Sequence, residues 1–337
     1  MRVTTLLTFI LLLVSLLDAT AQSKDKYRIT FRDKANNKYS LERPDEFLSQ
    51  RSLERRARQK ILINETDLPV SGFYLDSLSK LGIEVINFSK WFNTALVKSD
   101  QNTFPDILNN LDFITDKKKV FSSSVQKSAI YKFNSEIMAV ESPVNSYYGY
   151  AKEQISLSNG QFLHNKDYKG DGMVIAVIDA GFFKANELPA FTTLWGNSSI
   201  LGTRNFVDDN VNVFNAHPHG MYVLSIIGGN IPGTLVGTAP ESSFWLIRSE
   251  DTSSEFPIEE DNWVAAAELA DSVGADVINS SLGYYEFDDP SMNYTYTDMD
   301  GKTTRVTQGA EIASSKGIFI SVSAGNEGNK NWHYIIA

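Results

Sequence analysis

Met173-Val174-Ile175-Ala176-Val177-Ile178-Asp179-Ala180-Gly181 decides the architecture of this chain. Six apolar residues run without alternation and end in a carboxylate and a glycine turn. A strand apolar on both faces is what a parallel sheet covered on both sides by helices requires. Phe244-Trp245-Leu246-Ile247 reads as a second such strand, and Asp276 to Asn279 and Ile318 to Val322 as two more buried ones. Between them the periodicity changes to that of helices. Trp263 to Val273 is one, with Asp261 as its N-cap and Gly274 in the C-terminal glycine position; Thr307 to Ser315, ended by Gly317, is another. Strands alternating with helices predict a doubly wound parallel sheet of the α/β class over residues 151–337. Chemistry in such sheets gathers beyond the carboxyl ends of the strands.

Outward from this region the chain changes character. Residues 22–120 predict a small α+β unit. Its strands are Lys26 to Phe31, Gly82 to Phe88 and Asn93 to Lys98; its helices are Pro44 to Gln59, Val70 to Leu81 and Phe104 to Leu111. The basic run Arg51, Arg55, Arg56, Arg58 and Lys60 reads as a solvated helix face. Residues 121–150, rich in Ser, Asn and Tyr and interrupted by Pro143, read as a linker. At the N-terminus, Arg2, the apolar run Leu6 to Leu17 and Ala19-Thr20-Ala21 have the form of a cleaved signal peptide covering residues 1–21. Secretion, either to the periplasm or outside the cell, is the expectation, with no membrane association after cleavage.

Composition narrows the function. The 337 residues contain no cysteine, which excludes disulfides, thiolate metal sites and a cysteine nucleophile. Residues 22–150 carry 20 Lys/Arg against 16 Asp/Glu, whereas residues 151–337 carry 10 against 24. Opposed charges of this kind can help two units of one chain dock. The acidic half argues against a nucleic-acid partner.

Four segments could carry chemistry. Asp179, at a strand's carboxyl end, can orient a histidine, hold a metal, receive a phosphoryl group or merely cap a turn. In His217-Pro218-His219-Gly220-Met221-Tyr222, His219 begins a helix that Gly228-Gly229 ends. A histidine at a helix N-terminus benefits from a carboxylate partner, and Asp179 could be one; His217 reads as a surface residue. The pair lacks the spacing of a zinc motif, and no metal site is expected. Ser323-Ala324-Gly325-Asn326 exposes the Asn326 amide at the sheet rim, as an oxyanion donor or as an ordinary turn residue. Ser281-Leu282-Gly283 follows a strand with small residues, which leaves backbone groups open to an added peptide strand.

Taken in order, IAVIDAG, HGMYVLS, VGTAP, VINSSLG and SVSAGNEG resemble the motifs of the subtilisin-like serine peptidases, the subtilases. The resemblance covers residues 150–337. It implies a secreted serine endopeptidase in which Asp179 orients the base, His219 is the base, Asn326 donates to the oxyanion, and Ser281, Leu282 and Gly283 bind substrate. It implies protein or peptide substrates and gives residues 22–120 the part of an intramolecular pro-domain that assists folding and inhibits. No cofactor is required by it, although calcium binds many relatives. The sequence departs from the family in two places: Asp179-Ala180-Gly181 replaces D-[ST]-G, and His219-Gly220-Met221-Tyr222 replaces H-G-T-H. The family's G-T-S-x-A nucleophile motif is missing, because no G-T-S occurs in the chain. The expectation is therefore a peptidase fragment cut before its serine, inactive as it stands. The alternatives are a non-catalytic peptide-binding or inhibitor module, and a nucleotide-binding or phospho-acceptor α/β protein, although both glycine-rich phosphate motifs are missing.

Overall fold

The computed structural model describes residues 24–125, 133, 146–208 and 212–337. The leader expected at residues 1–21 and most of the expected linker lie outside them. Among the described residues no helix is long and apolar enough to cross a membrane.

The N-terminal unit comprises β1 (Lys26–Phe31), α1 (Gln50–Gln59), α2 (Gly72–Lys80), β2 (Glu84–Ser89), β3 (Thr94–Lys98) and β4 (Ile114–Phe121). Its strands form an antiparallel sheet in the order β2-β3-β1-β4. Tyr74 and Leu78 of α2 pack against Ile29, Phe31 and Val97 on one face of that sheet. The helix expected from Pro44 breaks into a short 3-10 turn at Pro44–Glu46 and then α1. Ser49 restarts the helix by accepting the Ser52 N–H on its side chain, which satisfies a donor with no partner inside the helix. The helix expected at Phe104 to Leu111 is only a 3-10 turn, Asp106–Asn110.

The second unit contains β5 (Val174–Asp179), β6 (Ile200–Asn205), α3 (His219–Gly228), β7 (Ser243–Arg248), α4 (Ile258–Val273), β8 (Val277–Ser280), α5 (Arg305–Ser315) and β9 (Phe319–Val322). The sheet order is β9-β8-β5-β7-β6, with every neighbouring pair parallel. Alternate residues of β5 enter opposite layers, as the two-residue repeat of a strand demands. Val174, Ala176 and Ile178 join Trp263, Ala267 and Ala270 of α4, whereas Ile175 and Val177 join Leu224 of α3. This is the doubly wound sheet that the uninterrupted apolar run predicts.

Three expectations need correction. Asp261 is not the N-cap of α4, because the helix begins three residues earlier, after Pro257, whose ring fixes a helix-compatible φ. Asp261 instead lies in the first turn, where a negative charge suits the helix dipole, and accepts from Arg28 Nη1 at 3.1 Å and pairs with Arg305. The strand at 318–322 is not buried along its length. It is the edge strand β9, with Phe319 69% and Val322 58% exposed.

The third concerns the basic run of α1. Arg55 and Arg56 are only 1% exposed, not solvated. Both donate to the buried Asp271 of α4: Arg55 Nη2 to Oδ1 at 2.6 Å, and Arg56 Nη2 to Oδ2 at 2.7 Å. Buried charges are tolerated when paired and hydrogen-bonded. Here the partner lies 215 residues away from Arg56 along the chain. Lys90 approaches Asp271 Oδ2 at 3.5 Å, and Glu268, one turn back on α4, accepts the backbone N–H groups of Lys90 and Trp91. Leu96, Val120 and Phe121 of the N-terminal sheet close against Phe256 and Ile258. Helix α4 is thus clamped between the parallel sheet on one side and the N-terminal unit on the other.

Candidate active site

Strand β5 delivers Asp179 to the carboxyl end of the sheet, fully buried. Its Oδ1 accepts the Ala180 N–H at 2.7 Å and bonds His219 Nδ1 at 2.8 Å. Burial pushes the Asp179 carboxyl above the ordinary carboxylate range, and the bond to His219 and the Ala180 N–H pull the other way. With Nδ1 carrying the proton shared with Asp179, Nε2 is left as the basic nitrogen. That is the tautomer a general base needs.

The approach depends on two glycines. A Cβ at Gly220 would lie 2.6 Å from Gly181 O and 2.8 Å from the Asp179 Cβ, so only glycine lets the first turn of α3 rest on the aspartate. Gly181 has φ of +146°, and a Cβ there would meet Ala216 Cβ at 2.5 Å and His217 N at 2.6 Å. The glycines two residues after Asp179 and one after His219 are therefore fixed by contact geometry.

His217 does not reach the carboxylate; its Nδ1 accepts the His219 N–H at 3.3 Å. Burial, reinforced by His219, holds its ring below the usual histidine range. Phe133 lies over both imidazoles, with ring centroids 4.7 Å from His217 and 4.3 Å from His219.

His219 opens onto a cavity of about 1070 Å³. Ser281, Leu282, Gly283 and Asn326 line it as well, so all the expected site residues except the buried Asp179 border one space. Gly325, at φ +87°, turns the chain to present Asn326, whose side chain is exposed. The Ser281–Gly283 backbone is partly engaged: Leu282 O accepts from Ser323 Oγ at 2.9 Å, and Tyr284 pairs with Ala337 through its N–H at 3.0 Å.

Sequence reading missed several lining residues. Phe133, Glu250, Glu255, Glu286 and Glu327 share the cavity. Glu250 lies two residues past the end of β7, the strand beside β5. The carboxyl-end rule applied to Phe244–Ile247 would have pointed to it.

Similarity to known proteins follows the same division of the chain. Residues 26–136 match the Peptidase S8 propeptide domain of Bacteroidota, and residues 170–335 match the subtilase family. The PI-type proteinase of Lactococcus lactis subsp. cremoris is 28% identical over 215 residues, covering 54% of this chain and 11% of that protein. The C5a peptidase of Streptococcus pyogenes serotype M3 is 28% identical over 200 residues, covering 50% of this chain and 16% of the relative. The chain thus spans about a tenth to a sixth of the length of these relatives. Among solved structures, a mutant of the epidermin leader peptide processing serine protease of Staphylococcus aureus superposes with a TM-score of 0.50. It is 15% identical, with 91% of this chain and 62% of that one covered, and the likeness is one of fold.

Proposed function

We propose, from the premise that this chain belongs to the subtilase family, that it is the N-terminal part of a secreted serine endopeptidase. The observation that carries the reading is the 2.8 Å bond between a fully buried Asp179 and His219 at the mouth of the cavity. Asp179 fixes the ring and its tautomer and stabilises the imidazolium that forms when Nε2 takes a proton. Asn326, which lines the same cavity, donates its amide to the oxyanion of the tetrahedral intermediate. Ser281–Gly283 borders the extended substrate. Hydrolysis then proceeds by acyl transfer: a serine oxygen attacks the peptide carbonyl, His219 accepts its proton and passes it to the leaving amine, and water releases the acyl group.

We place the attacking serine outside these 337 residues. The sequence has no G-T-S, and among the described residues no hydroxyl is bonded to His219 Nε2. The leader-like residues 1–21 support secretion, and the match of residues 26–136 to a propeptide domain supports an inhibitory part for the N-terminal unit.

The test uses the complete gene product and a chromogenic peptide ester. His219→Ala abolishes turnover, whereas His217→Ala retains most of it. Equal loss at both positions, or loss at His217 alone, would overturn the assignment. The purified 337-residue chain should resist fluorophosphonate labelling, and stoichiometric labelling of any of its serines would refute the placement of the nucleophile.

A further inference from the structure

Asp179 and Arg248 are neighbours across the last step of the β5–β7 ladder. The backbone of that step is tied on both sides. Ser249 donates its N–H to Asp179 O at 3.0 Å, and Phe206, just past β6, donates to Arg248 O at 2.9 Å. From this fixed backbone the Arg248 side chain runs to the turn that follows Asp179. Its Nε donates to Ala180 O at 3.1 Å and its Nη1 to Asp208 Oδ2 at 2.8 Å. Arg248 is 8% exposed, whereas the side chain of Asp208 is 50% exposed. Burying a guanidinium is costly, and none of the acyl-transfer steps uses its charge; what it holds is the Ala180 carbonyl.

That carbonyl belongs to a two-residue turn that touches both partners of the Asp179–His219 bond. On one side the Ala180 N–H donates to Asp179 Oδ1 at 2.7 Å, the oxygen that also bonds His219 Nδ1. On the other, Gly181 O is the atom that a Cβ at Gly220 would strike at 2.6 Å, so the first turn of α3 rests on it. A shift of the turn therefore moves the carboxylate and the imidazole relative to each other. Ala180 has no polar side chain with which to fix the turn. Arg248 fixes it from the neighbouring strand, its planar fork bonding Ala180 O and Asp208 at once. A lysine ammonium, a single point on a flexible stem, does not match that geometry.

We propose that Arg248 is a positioning residue for the catalytic pair: by fixing the Ala180 carbonyl it holds the turn that sets the Asp179 carboxylate against His219. The inference rests on the peptidase reading and adds a residue to it.

The experiment uses the complete gene product and a chromogenic peptide ester, with active sites counted by fluorophosphonate titration. Arg248→Lys should lower kcat per titrated site by about 10–100-fold and leave KM within about twofold of the wild type. The acid limb of its kcat/KM profile should move to lower pH by about half a unit or more, because an imidazolium held less well against Asp179 gives up its proton more readily. Asp208→Asn, which leaves Arg248 in place without its ionic partner, should move both readouts in the same direction by less. A merely structural role would lower the melting temperature and the number of titrated sites while leaving kcat per site and the acid limb unchanged, and that result overturns the inference. So does an effect confined to KM. If Arg248→Lys does not fold, Asp208→Asn decides, and a wild-type kcat and acid limb there overturn the inference. A parent enzyme that neither cleaves the ester nor takes the fluorophosphonate would overturn the peptidase reading and this inference with it.

Discussion

Asp271→Ala tests whether the N-terminal unit is held to the rest of the chain by buried charge. Asp271 is fully buried and faces three cations whose side chains are 1%, 1% and 8% exposed: Arg55, Arg56 and Lys90. Two of them keep an alternative. Arg56 also pairs with Asp67 at 2.9 Å, and Lys90 Nζ donates to Ser272 Oγ at 2.8 Å. Arg55 is left with a hydroxyl and backbone carbonyls, the nearest being Ala275 O at 2.6 Å. Removing one member of a buried ion pair costs about 3–5 kcal/mol, chiefly because the other charge stays in a dry site. That is a large share of the roughly 5–15 kcal/mol that holds a typical domain together. With a urea slope of about 3 kcal/mol/M, the midpoint should fall by about 1–2 M. Urea titration of the purified chain, followed by circular dichroism and tryptophan fluorescence, measures it. Arg56→Ala and the double variant complete a thermodynamic cycle, which should show a coupling above about 1 kcal/mol. A midpoint shift below 0.3 M, roughly 1 kcal/mol on the same slope, would refute the view that Asp271 is the keystone of this contact.

Other predictions concern the site and its pH response. In the complete enzyme Asn326→Ala should lower kcat by about 10²–10³ with KM little changed; an effect confined to KM would make it a substrate-positioning residue instead. Phe133→Ala uncovers both imidazoles and should raise the activity of unprocessed enzyme toward a small ester; unchanged activity would show that the ring does not obstruct His219. Asp67 is opposed by burial, but Arg56, the Asn64 N–H and Lys316 outweigh it and hold its carboxyl below the ordinary value of 3.8. It therefore adds stability that is present above pH 3.8 and disappears as pH falls through its lower folded value. Asp67→Asn should accordingly be less stable near neutrality and lose less on acidification. A melting curve series from pH 2 to 7 with the same acid slope in both proteins would contradict this.

The parallel sheet and the pairing of Asp179 with His219 at its edge were legible because their signals are local. The run Val174 to Ile178 is apolar on both faces, and both faces are covered. Asp179 and His219 each announce themselves by position, one ending a strand and the other starting a helix, with glycines where the two must touch. What stayed hidden depends on partners remote in sequence. Nothing near Arg55 and Arg56 shows that Asp271 will meet them, so a solvated face was the natural reading. Asp261 has the residue type of a cap, yet Pro257 opens the helix and Arg28 takes the carboxylate. Glu255 has no local sequence signal that ties it to the site, and only the fold brings it to the cavity of His219. Phe319 and Val322 were expected to be buried because a strand's composition does not reveal whether it lies inside the sheet or at its border.

The face that α4 turns toward the N-terminal unit also works as an address. Asp261, Glu268 and Asp271 are spaced seven and three residues apart, and each is read by its own set of groups: Arg28; Ser89 with the Lys90 and Trp91 amides; and the pair Arg55 and Arg56. A foreign N-terminal unit of the same shape but different charge placement would bury an unmatched ion at one or more of these points, and each mismatch carries the penalty of a broken buried pair. Exchange of N-terminal units between related chains is thereby restricted to those that spell the same three positions, and a chain that drifts at one of them must drift at its reader as well.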